Sequence, residues 1–151
     1  MFEQKQCLAC DELHQDILQR PEVRKSLQGF QVVVLDMWSR DAITTPAGAK
    51  TTVRQWAQSL GIQYAPSLLF FDKAGNEVFR SDGYLRAFHV HGVLDYVLSG
   101  AYRQQPEFQR FLQDRRADFE KRGLSTDRWK CSRPTLKEAL IVSLYASPTG
   151  M

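Results

Sequence analysis

Two thiols three residues apart near the start of the chain, in Cys7-Leu8-Ala9-Cys10, are the side chains best placed to do chemistry. At that spacing, in the first turn of a helix, they can close into a small disulfide ring with little backbone change. Leu13 and Ile17 follow Cys10 at helical spacing, with Asp11, Glu12 and Asp16 on other faces. The pair is therefore expected to open an amphipathic helix. Cys7 then sits at the N-cap, where unpaired N–H groups and the positive end of the helix dipole stabilise a thiolate and lower its pKa. Cys7 is the expected nucleophile, and Cys10, one turn further in, the resolving thiol. Haem attachment would need a histidine directly after the second cysteine, where Asp11 stands. A structural zinc site would need a second cysteine pair, and the remaining cysteine, Cys131, stands alone. Idle thiols are the third reading. His89 and His91 form a His-x-His without further ligands in sequence, so no metal site is expected.

The elements that must hold this pair follow from periodicity and punctuation. A first helix is expected from about Cys7 to Gln19, stopped by Pro21, with another turn over Glu22 to Leu27 before Gly29. Val32-Val33-Val34-Leu35 reads as a strand buried on both faces. Ser39 to Lys50 reads as a polar loop, and Thr52 to Leu60 as a helix with Val53, Trp56, Ala57 and Leu60 on one face. Tyr64-Ala65-Pro66-Ser67 introduces the strand Leu68–Phe71. A turn over Asp72 to Glu77 then leads to Val78–Arg80, giving an antiparallel hairpin. Phe88 to Leu98 is a third amphipathic helix ending at Gly100. The spacing of Phe108, Phe111, Leu112 and Phe119 marks a fourth, ending near Gly123. Leu136–Tyr145 is an apolar segment of undefined type, and Trp38, Trp56 and Trp129 read as packing residues.

The bulk numbers bound the answer. A chain of 151 residues, 43% hydrophobic and 25% charged, makes one globular domain with an appendage. Residues 1–102 carry ten Lys and Arg against eleven Asp and Glu, and residues 103–151 carry ten against six. The charges of this basic end alternate in sign through Arg110, Asp114, Arg115, Arg116, Asp118 and Glu120. That is a solvated helix face, and nucleic acid is not an expected partner. Met1 to Cys10 is too polar for an export signal, and Leu136–Ala146 is too short to span a bilayer.

In order, a helix-opening Cys-x-x-Cys, strand, helix, Gly61-Ile62-Gln63-Tyr64-Ala65-Pro66-Ser67, hairpin, Gly83 and a terminal helix resemble the thioredoxin-like superfamily over roughly residues 1–100. The resemblance implies a three-layer αβα fold on a mixed sheet. Here the N-terminal strand is truncated and a helical C-terminal extension is added. The expected divisions are a thioredoxin-like domain over 1–102, a docked helix over 103–123 and a tail over 124–151. The resemblance also implies a cis proline at Pro66 beside the two sulfurs. Ala65 would then offer its backbone to an extended substrate, and Tyr64 would line the groove. Phe2-Glu3-Gln4, the loop from Trp38 to Thr51, Gly83-Tyr84-Leu85, Leu94-Asp95-Tyr96-Val97 and Gly100-Ala101-Tyr102 are similar to the SoxW-type periplasmic thioredoxins, as is the helix bearing Phe108, Phe111 and Leu112.

That likeness implies a thiol–disulfide oxidoreductase that reduces protein disulfides outside the cytoplasm. Cys7–Cys10 would serve as its redox centre, without a dissociable cofactor. Its partners would be disulfide-bearing client proteins and a membrane or periplasmic thiol electron donor. The departures bear on details. Thioredoxins proper have Trp before the first cysteine and Gly-Pro between the pair, where this chain has Gln6 and Leu8-Ala9, so the direction of electron flow does not transfer. The buried Asp that assists proton transfer in the family aligns with Met1; Glu3 is the candidate substitute, and His14 a second modulator one turn beyond Cys10.

Only Met1-Phe2-Glu3 remain of the strand that enters the site. The expectation is that Met1 is an internal start, with the missing strand and an export signal upstream; with Met1 as the true start, the location would be cytoplasmic. The alternative is a replacement strand from Leu140–Tyr145. Two other function classes stay open at this point: a redox-inactive thioredoxin-like binding module, and a disulfide oxidase or isomerase.

Overall fold

In a computed structural model, which describes residues 1–125, a four-stranded sheet lies between two layers of helices. Its strand order is β2-β1-β5-β6, with β1 (Phe2–Glu3), β2 (Leu35–Asp36), β5 (Ser67–Phe71) and β6 (Glu77–Asp82). β1 runs parallel to β2 and antiparallel to β5, which pairs antiparallel with β6. This mixed sheet between helices is the thioredoxin fold that the motifs imply.

Strand alternation sends successive side chains to opposite layers. Leu68 faces a core of Leu13, Ile17, Val23, Ala87, Val90 and Leu94, with Phe70 packed on its edge. These residues come from α1 (Leu8–Gln15), the 3-10 turn Ile17–Gln19, α2 (Pro21–Leu27) and α4 (Ala87–Leu98). Leu69 instead packs on the other core of Phe2, Met37, Val53, Ala57 and Ile62, under α3 (Val53–Ser59). Thr52 and Gln55 form a capping box at the start of α3, as Thr-x-x-Gln allows. Pro21 stands at the first position of α2, where its missing N–H costs nothing, while the helix expected to Gln19 ends at Gln15 and is followed by the 3-10 turn.

α5 (Phe108–Lys121) lies against α4. Leu112 fills the space left by Gly92, where an added Cβ would stand 2.5 Å from its Cδ2. Tyr96 meets both Phe108 and Phe111, and Phe88 meets Phe119. Leu136–Tyr145, Trp129 and Cys131, and with them the replacement-strand alternative, lie outside the described residues. No helix among the described residues is long and apolar enough to cross a membrane.

Two expectations fail here. The polar loop over Ser39–Lys50 contains β3 (Ala42–Thr44), which pairs with β4 (Lys50–Thr52) as a separate antiparallel hairpin. Its residues alternate too little in hydrophobicity to read as strands. The second failure is larger. Val32, Val33 and Val34 are not a buried strand; they are 47%, 51% and 49% exposed, and pairing begins only at Leu35. The reason is the partner: β1 supplies Phe2 and Glu3 opposite Leu35 and Asp36, and Met1 bonds through its amino group to Val33 O and through its carbonyl to Leu35 N–H. A strand needs a ladder on its flank to bury its backbone.

This difference is measurable. Val33→Thr is expected to change unfolding free energy by less than about 0.5 kcal/mol, as at an exposed position. Val93→Thr, a fully buried position in α4, should cost about 1–3 kcal/mol through its unpaired hydroxyl. Urea denaturation of both variants checks the contrast. Equal costs would place the valines in a covered strand after all.

Candidate functional site

β1 ends at Glu3, and Gln4 to Gln6 carry the chain up to α1. Gln6 takes a left-handed conformation, φ 55°, which turns the chain sharply before the first cysteine. Cys7 is the N-cap of α1 with an extended backbone, and its Sγ accepts the N–H of Cys10 at 3.1 Å. Cys7 and Cys10 are joined in a disulfide, with Cα atoms 5.2 Å apart. Both residues are buried, while Leu8 between them is 86% exposed.

The Ala65–Pro66 peptide is cis, and Cys7 Sγ lies 3.7 Å from the Ala65 carbonyl oxygen. Residues 58 positions apart in sequence thus meet at the sulfur. Pro66 is buried, Ala65 half-buried, and Tyr64 stands 62% exposed beside them. Three contacts hold this loop from behind, and none was read from the sequence. The hydroxyl of Ser67, a fully buried residue, donates to the Tyr64 carbonyl at 2.7 Å and lies 3.2 Å from an Asp82 carboxylate oxygen. The Gly83 N–H donates to the Pro66 carbonyl at 3.0 Å. The Tyr84 hydroxyl donates to Glu12 of α1 at 2.8 Å, tying the connection after β6 to the helix that carries the cysteines. Ser67 was legible only as a small polar residue opening an apolar strand, a position where a hydroxyl must find a partner.

Glu3 and His14, read as separate modulators, form one contact: His14 Nε2 lies 2.5 Å from Glu3 Oε1. The carboxylate side is 16% exposed and the imidazole 40%. His14 is one helical turn beyond Cys10 on α1, so the pair spans from β1 to the face of the resolving cysteine. On the segment leading to Cys7, Trp38 is exposed rather than packed in a core, and its indole N–H donates to the Gln4 side chain at 3.3 Å. His89 and His91 lie elsewhere, in α4. His91 Nδ1 accepts from Arg115 at 2.8 Å, and the His89 ring meets Phe88 edge-on. Among the described residues no three His, Cys, Asp or Glu side chains gather as metal ligands.

The arrangement supplies a sulfur at a helix N-terminus, a second sulfur behind it, and an adjoining loop with exposed backbone and an aromatic wall. Removing the support of that loop should be visible. Ser67→Ala is expected to cost about 0.5–1.5 kcal/mol of stability, the net worth of the hydrogen bond to the Tyr64 carbonyl. Thermal unfolding measures it, and an unchanged midpoint would show that the hydroxyl holds nothing.

Residues 1–98 match the family described as Thioredoxin-like domain. No curated protein matches the chain. Among solved structures, a thioredoxin-fold protein from Helicobacter pylori superposes with a TM-score of 0.64, at 18% identity, over 75% of this chain and 77% of that one. At that identity the likeness speaks for the fold alone. With the family match covering more than half of the chain, this chain belongs to the thioredoxin-like domain family, and its Cys7–Cys10 pair fits a thiol–disulfide oxidoreductase.

Proposed function

We propose that the protein reduces protein disulfides outside the cytoplasm, as SoxW-type thioredoxins do, with Cys7 and Cys10 as its redox couple. The observation that carries this is the placement of Cys7: capping α1, accepting the Cys10 N–H, and lying 3.7 Å from Ala65 O beside the Pro66 loop. An N–H donor and the positive end of a helix dipole favour charge on that sulfur, which makes it the attacking atom. The redox group is the cysteine pair itself, so no dissociable cofactor enters the reading.

The chemistry balances in two steps. Reduced Cys7, as the thiolate, attacks one sulfur of a client disulfide; a Cys7–client bond forms, and the other client sulfur leaves as a thiolate that takes a proton. Cys10 then gives up its proton and attacks Cys7 Sγ. The Cys7–Cys10 bond forms, and the second client sulfur leaves and is protonated. Two electrons pass from the pair to the client, and a membrane or periplasmic thiol donor restores them. Tyr64, Ala65 and Pro66 hold the extended client segment, with the Ala65 backbone pairing to it like an added strand. Glu3 and His14, in contact one turn from Cys10, accept the Cys10 proton in the second step.

Three measurements test this. The Cys7–Cys10 couple, equilibrated against glutathione, should have a potential near about −270 mV; a value near about −120 mV would make the protein an oxidant. Cys10→Ser should accumulate a mixed disulfide with insulin that Cys7→Ser does not form. Glu3→Gln should slow resolution of that intermediate by about a hundredfold while leaving the alkylation rate of reduced Cys7 unchanged, the size expected for loss of a positioned proton acceptor. Equal slowing of both steps would assign Glu3 a structural role.

A further inference from the structure

Phe88, buried in the first turn of α4, has two arginines against its ring. The guanidinium carbons of Arg115 and Arg116 lie 5.5 and 5.7 Å from its ring centroid, and the His89 ring stands 5.9 Å away. Arg86 is the N-cap residue of the same helix, without a side-chain cap bond, and the first turn of α4 holds no acidic residue. These charges differ in what opposes them. Arg115 is paired with Asp95 across the α4–α5 contact. Arg86 and Arg116 are exposed, and among the described residues neither forms an ion pair with a carboxylate. Their field reaches His89, whose pKa lies below its ordinary value, first through burial and then through Arg116 and Arg86.

This face lies close to the redox site. Gly83 is hydrogen-bonded to Pro66, and Arg86 follows three residues later, a reach of at most about 10 Å. That backbone separation is about one Debye length at 0.1 M salt, so at low salt the Arg86 charge is only partly screened at the Pro66 loop. Glu12 receives the Tyr84 hydroxyl and Asp82 lies against the Ser67 hydroxyl, neutral donors that orient these carboxylates without cancelling their charge, so the positive sign rests on the arginines. The positive end of the 12-residue helix α4 adds to the same sign.

We propose that Arg86 and Arg116 form a recognition face for the client, selecting polypeptides with Asp or Glu side chains flanking the disulfide to be reduced. This rests on the oxidoreductase reading and names its substrate class. Opposite charges across such a contact speed encounter and orient the partner, an effect that salt removes.

The test uses two synthetic disulfide peptides that differ only in three Glu or three Lys residues beside the disulfide. Turnover is followed with dithiothreitol as the terminal reductant. At low salt the acidic peptide should have a kcat/KM about fivefold above the basic one. High salt should abolish the preference, and R86Q/R116Q should reduce it to near unity. R86E/R116E should invert it, which a folding defect would not do. Equal kcat/KM for the two peptides, or a preference that survives both double variants, overturns the proposal. Fluorescence anisotropy of the same labelled peptides on the wild-type chain reads recognition without chemistry. Charge-selective binding without turnover would remove the oxidoreductase reading and keep the acidic preference, whereas turnover without selectivity would remove the acidic preference alone.

Discussion

One rung of the sheet carries the site: Phe2 of β1 opposite Ser67 of β5. β1 is the only route by which the chain enters α1, and Ser67 directly follows Pro66. Fixing that pair therefore fixes the distance between the cysteines and the proline loop. Phe2 and Ser67 are both buried, so the rung is protected from water on either face. A slip of one residue would turn Phe2 out of its core and move Cys7 away from Ala65. The rest of the fold is arranged to prevent that slip. α3 covers Phe2 from one side, α1 and α4 cover Leu68 from the other, and β6 pairs along the whole of β5.

The polar contacts round the site act on the same geometry from the surface. Ser67 and Gly83 hold the loop at the Tyr64 and Pro66 carbonyls, and Tyr84 ties the segment after β6 to α1. Hydrogen bonds of this kind contribute modestly to stability, but leaving their buried partners unmade is costly, which gives them directional force. The Glu3–His14 contact joins β1 to α1, so the strand that leads to the pair is tied to the helix that carries it. The cationic end of α4 is built differently. Its charges have not been cancelled by local carboxylates, and uncompensated surface charge acts over distance on a partner and contributes little to stability within the chain.

Much of the fold was legible because its signals are local. Helices α3, α4 and α5 follow from apolar spacing, capping residues and closing glycines, and the β5–β6 hairpin from two apolar runs about a turn. The Cys-x-x-Cys at a helix start and the Ala-Pro before a strand were readable as residue types at fixed spacings. The failures have a common cause. Three adjacent valines have the composition of a buried strand, but burial belongs to a ladder and requires a neighbour of matching length, which β1 does not provide. The β3–β4 hairpin was missed for the converse reason, since its ladder forms from residues without apolar alternation. Ser67 carries no signature until the Tyr64 carbonyl and Asp82 are brought to its hydroxyl.

The sequence alone supplied the chemical expectation for the site. Two thiols at helical spacing form a candidate couple, and N-cap geometry and dipole direction, which are properties of a few consecutive residues, point to Cys7 as the attacking sulfur. Folding settled which distant groups meet that couple. Ala65 and Pro66 reach Cys7 through a strand register, Glu3 of β1 meets His14 of α1 where the helix packs on the sheet, and Arg116 comes to the head of α4 near Arg86 by packing of one helix on another. Each of these contacts depends on burial and pairing between segments, and those energies are set by the whole assembly of strands and helices.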